Sequence, residues 1–88
     1  MSEINYIKHL NNAFLKIEQD NRLNPSHVSL YMALFKLWNS NRFVEVFYIH
    51  RDEVMQFSKI GSKTTYHRCI RELNNWNYII YLPSHNPF

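Results

Sequence analysis

Lys63, Thr64, His67, Arg68 and Arg71 follow one another at steps of one, three, one and three residues, which lines them along one side of a helix. Together these side chains do no covalent chemistry; they present hydrogen-bond donors and positive charge to an anion. Arginine gives two parallel hydrogen bonds to guanine O6 and N7, and threonine meets a thymine methyl or a phosphate. From Val54 through Arg71 the bases are Lys59, Lys63, Arg68 and Arg71, and there is no acid. A local excess of one sign raises affinity for a polyanion. Ser62 precedes this helix as its N-cap, and the unpaired N–H groups of a helix start suit a phosphate. Ser62, Lys63, Thr64, His67, Arg68 and Arg71 are therefore the expected contacts to double-stranded DNA. The alternative is a solvated helix face whose charges have no partner.

Other chemistries find less support. Histidines stand at 9, 27, 50, 67 and 85, none three or four residues from another, and His67 and Cys69 point apart on a helix. No metal site is expected, and Cys69 falls on an apolar stripe as a small core residue. Asp52 and Glu53 are explained by the start of a helix, where negative charge complements the dipole. Serine, histidine and aspartate are scattered without a motif, and a single glycine cannot build a phosphate-cradling loop. Neither an enzymatic site nor a cofactor is expected. Aromatic residues such as Tyr31, Phe35 and Trp38 have core spacing rather than that of a base-stacking platform.

The elements that must hold the basic face are set by periodicity. Ile4, Ile7, Leu10, Phe14 and Ile17 predict an amphipathic first helix from about Glu3 to Asp20. Asn24 caps a second helix, Pro25 to about Asn39, apolar nearly all round and hence central to the core. Phe43–Ile49 is aromatic and β-branched and predicts a strand. A short third helix begins near Asp52, Gly61 supplies a turn, and the basic helix runs from Lys63 to about Trp76. Its inward stripe is Tyr66, Cys69, Ile70 and Leu73, with Ile70 and Leu73 expected to meet Leu34 and Phe35. Asn77 takes a left-handed conformation after it. Tyr78–Leu82 predicts a last strand, closed by Pro83, with Ser84–Phe88 able to begin a turn but no return strand after it. The expected class is mainly α with a small β element, a winged helix-turn-helix with an extra N-terminal helix.

Eighty-eight residues make one domain, 1–88, with a single small core. A hydrophobic share of 45% argues against disorder, and a net charge of +3 is only mildly basic, so the distribution of charge matters more than its sum. One cysteine makes no internal disulfide and fits a cytoplasmic location. No run approaches the roughly 20 apolar residues of a membrane span, and the start lacks the apolar core of a secretory signal.

The segment SKTTYHRCIRELNNWNYI resembles the recognition helix and adjoining strand of bacterial winged-helix regulators, with Ser62, Thr65, Leu73, Asn77 and Ile79 at the positions of that pattern. The run NPSHVSLYMALFKLWN, joined to the expected strand and helix-turn-helix after it, is similar to small proteins of Bacteroidetes mobile elements. It is also similar to winged helices of replication initiators and primosome loaders. The resemblance implies a DNA-binding transcriptional regulator or mobile-element accessory factor. The other implied role is a protein-interaction module in a replication or DNA-transfer assembly. A homodimer through the first helix or the 78–82 strand would match the paired half-sites such proteins read.

Overall fold

The computed structural model describes residues 5–83. Four helices follow one another: α1 (Tyr6–Gln19), α2 (Pro25–Ser40), α3 (Arg51–Ser58) and α4 (Lys63–Asn75). The described residues contain no strand, so the expected winged helix with its small β element is corrected to an all-α arrangement. The expected start of the first helix at Glu3 and the segment Ser84–Phe88 lie outside the described residues.

α1, α2 and α4 begin where the sequence supplies an acceptor or a preset backbone angle. Asn5 accepts the Lys8 N–H at 2.9 Å, and Ser62 accepts the Thr65 N–H at 3.2 Å. Asn24 accepts from both Ser26 and His27, while the His27 ring accepts the Asn24 N–H at 3.0 Å; Pro25 occupies the first turn. This reciprocal cap satisfies donors that a helix start otherwise leaves open.

The helix ends are unusual for a chain with one glycine. Arg42, Lys59 and Asn77 have φ of 58°, 63° and 66°, the left-handed turn usually given to glycine. In each case the next N–H reaches back to the last turn: Phe43 to Trp38, Ile60 to Met55 and Tyr78 to Leu73, at 2.8, 3.2 and 2.9 Å. Asn77 behaves as its position predicts. Gly61 does not: the left-handed residue between α3 and α4 is Lys59, and a side chain at Gly61 would meet open space.

Packing centres on α2, which lies against both α3 and α4. Leu30, Tyr31, Ala33, Leu34 and Leu37 of α2 join Val54, Ile60, Tyr66, Cys69, Ile70 and Leu73 in one core. Ile70 and Leu73 thus share the core with Leu34 as expected. Phe35 sits beside it in an aromatic group with Trp38 and Phe43.

Two physical facts explain the missing strands. Phe43 itself has φ of 57°, so the chain is still turning where a strand should begin, and its ring is held by Trp38 at 4.6 Å and Tyr6 at 5.2 Å. Downstream, Phe47 and Ile49 pack on the core while Val46 and Tyr48 face solvent, so the period of two is real. A buried face does not make a sheet without a second backbone to bond. The Tyr78–Leu82 segment is no partner: Tyr78 and Ile79 cover the core, and the Tyr81 N–H is taken by the Asn74 side chain at 3.0 Å. With no 78–82 strand, a dimer through its edge loses its basis.

α1 attaches differently from the rest. Tyr78 donates from its hydroxyl to Asp20 at 2.9 Å, and Lys16 donates to the Trp76 and Asn77 carbonyls at 3.3 and 2.8 Å. Arg22 grips Asp20 with two 2.8 Å hydrogen bonds and lies over the Trp76 ring. The Arg22 bonds, with help from Tyr78, hold the Asp20 carboxyl well below the usual range. Burial and the Asp20 bond push the Tyr78 hydroxyl up to about 12.

The sign of that last shift makes a prediction. The unfolded phenol loses its proton near about pH 10, so Tyr78 favours the folded chain below that pH and ceases to do so as pH rises toward 12. Stability should fall through this alkaline window, and Tyr78→Phe should remove that part of the fall. At pH 7 the same variant should cost about 1–2 kcal/mol for the lost bond to a carboxylate. Thermal melts from pH 7 to 11, with the phenolate followed by ultraviolet absorbance, measure both; identical pH profiles for variant and parent would refute the assignment.

Candidate functional site

The helical rise of α4 turns Tyr66, Cys69, Ile70 and Leu73 into the core and leaves Lys63, Thr64, His67, Arg68 and Arg71 exposed on the opposite side. All six residues predicted to contact DNA, Ser62 included, are exposed. They are brought together as one strip, with Ser62 and Lys63 at its N-terminal end and Arg71 near its C-terminal end.

The N-terminal end is also where polar groups gather. A shallow groove runs beside it, lined by Pro25, Ser26 and Ser29 of α2 and by Ser58, Lys59 and Ser62 around the α3–α4 turn. The Ser29 hydroxyl donates to the Ser58 carbonyl, tying α2 to the end of α3. This tie and the left-handed Lys59 fix the angle at which α4 leaves the turn.

The cations of the strip are not equivalent. Arg68 lies 3.6 Å from Glu72, one helical turn on, with its side chain 45% exposed. Lys63 and Arg71 have no ion pair among the described residues. The acid-free stretch ends at Arg71, one residue short of the carboxylate that partners Arg68. The i, i+4 spacing of Arg68 and Glu72 was a readable signal that a charge count over the stretch passed by.

Behind the strip lies a cluster that sequence spacing did not reveal. His27 of α2 is 2% exposed, Cys69 is fully buried, and Glu72 is half-buried at the edge. The donor atoms of these three side chains all lie within 4.8 Å of one another. Because the His27 Nδ1 accepts the Asn24 N–H, the proton of the neutral ring sits on Nε2, which donates to the Glu72 carboxylate at 2.8 Å. Burial pushes the Cys69 thiol up. Pairing histidines with neighbours three or four residues away cannot find such a group, because one of its members is on another helix.

No described helix is long and apolar enough to cross a membrane. The chain matches no protein-family model, no curated protein and no solved structure. The chemistry of the exposed strip and of the buried cluster is what bears on function.

Proposed function

We propose that the protein binds duplex DNA by laying the exposed face of α4 in the major groove, as a transcriptional regulator or an accessory factor of a mobile element. The observation that carries this reading is the acid-free strip of Lys63, Thr64, His67, Arg68 and Arg71 on a helix whose opposite face is locked in the core. A major groove about 12 Å wide admits an α-helix, and the N-terminal residues of such a helix reach base edges. Ser62, Lys63 and the open N–H groups of the first turn suit a backbone phosphate. Lys59, held at the turn, adds charge on the approach.

Binding that is mainly to phosphates weakens steeply with salt, with a log–log slope near −0.9 per contact. The test is titration of random duplex DNA with the protein at several salt concentrations, followed by selection of bound sequences. A salt-dependent complex and an enriched motif support the reading; no complex at about 50 mM salt defeats it.

A second reading rests on a different observation. Ile7 (62%), Phe14 and Leu15 remain exposed on α1, beside the polar latch that holds its other side. Such residues suit association, either as a twofold homodimer through α1 or with an apolar partner in a replication or transfer assembly. Sedimentation of the protein with and without a palindromic duplex distinguishes these: a twofold species on DNA supports the dimer, and a strict monomer in both removes it.

A further inference from the structure

We propose that His27, Cys69 and Glu72 form a binding site for one divalent transition-metal ion of the zinc type. The three side chains offer an imidazole nitrogen, a sulfur and a carboxylate oxygen, the donor set that zinc takes most readily. All three donor atoms lie within 4.8 Å of one another. Ligand atoms about 2.0–2.3 Å from one tetrahedral centre stand somewhat over 3 Å apart, so the three donor atoms need only small shifts to reach an ion, at the cost of one hydrogen bond at the Asn24 amide.

Burial gives the site its selectivity. His27 and Cys69 are fully enclosed, whereas Glu72 is 29% exposed at the rim and opens one side to water. An ion would enter along Glu72, leave its fourth position to a water and be held from α2 on one side and α4 on the other. A buried thiol and imidazole disfavour the hard cations magnesium and calcium, which take oxygen ligands.

The hydrogen bonds around His27 state what must change. Its Nε2 proton now lies between the ring and Glu72, 2.8 Å away. On metal binding the ring keeps one proton, which moves from Nε2 to Nδ1, and the Cys69 thiol gives one proton to solvent. The Asn24 N–H, 3.0 Å from Nδ1, then loses its acceptor and must turn away. Asn24 still caps α2 through its side chain, which accepts from Ser26 and His27. Glu72 turns from Arg68 toward the ion, so Arg68 loses its carboxylate.

Cobalt(II) is the probe, because a thiolate ligand adds a sulfur-to-metal charge-transfer band and four-coordination intensifies the visible bands. The full chain, reduced and folded by circular dichroism, is titrated with cobalt(II), and zinc(II) is then added in competition. We expect a one-to-one complex with a charge-transfer band, release of one proton per ion, displacement by zinc, and a chemical-shift change at the Asn24 amide. Cys69→Ser should abolish the band. Glu72→Gln, at the exposed rim and expected to fold, should weaken binding by at least about tenfold, since loss of even an outer partner of a metal ligand costs that much. A folded parent with no charge-transfer band at millimolar cobalt overturns the proposal, as does a band that survives in Cys69→Ser.

Discussion

Leu73→Ala lowers the stability of the folded chain by about 2–5 kcal/mol, the cost of removing a buried leucine and leaving part of its cavity behind. Leu73 has no exposed surface and sits on the inward stripe of α4, where that helix meets α2. It also does backbone work: its carbonyl receives the Tyr78 N–H that closes the end of α4. The side-chain loss therefore falls at a place where two elements and a helix end converge, with little freedom to collapse into the void. In a domain of this size each kcal/mol moves the melting temperature by roughly 4–8 °C. The variant should melt at least about 10 °C below the parent in calorimetry. An unchanged melting temperature would mean that α4 is turned about its axis, and the exposed strip would be misassigned with it.

Replacing both Arg68 and Arg71 with alanine should leave the fold in place and weaken duplex binding sharply. Both side chains are exposed on α4, and neither lies in the core. If each arginine holds a phosphate, the log–log salt slope flattens by about two. If either reads guanine, the double variant also loses discrimination at that base pair, worth about 1–3 kcal/mol. The single variants should not be equal. If α4 contacts DNA, Arg68 must leave Glu72 whereas Arg71 has no ion pair among the described residues, so Arg71→Ala should lose the more affinity. Fluorescence anisotropy on the selected duplex measures both slopes, with circular dichroism as the check on folding. A double variant that binds with parental affinity and salt slope would exclude α4 as the contacting helix.

The helices were legible because their signals are local. Asn24–Pro25, Ser62 and Asn77 mark ends, and the spacing of Tyr66, Cys69, Ile70 and Leu73 sets which side of α4 turns inward. That the two expected strands would not form was not legible, because a sheet is a property of two segments. Phe43–Ile49 does alternate between core and solvent, but Phe43 is committed to an aromatic group and a left-handed backbone. Tyr78–Leu82 spends its hydrogen bonds on the end of α4 rather than on another strand. The turn at Lys59 escaped for the opposite reason: the nearby glycine is the stronger local sign, yet a lysine adopts the strained angle. The exposed strip was found from spacing alone. The His27–Cys69–Glu72 cluster was hidden, since it exists only once α2 lies on α4.

Among the described residues, every fully buried side chain belongs to the stretch from His27 to Leu73, and α1 contributes none. The helix lays partly buried Ala13 and Ile17 on the core, is held by Tyr78, Lys16 and Asp20 at one end, and sets Tyr6 and His9 against Phe43 and Trp38 at the other. The molecule therefore has two levels of order rather than one. Releasing α1 frees no side chain of its own that is fully buried, so its opening should cost less than global unfolding. Hydrogen exchange should therefore find the amides of Tyr6–Gln19 less protected than those of α2 and α4.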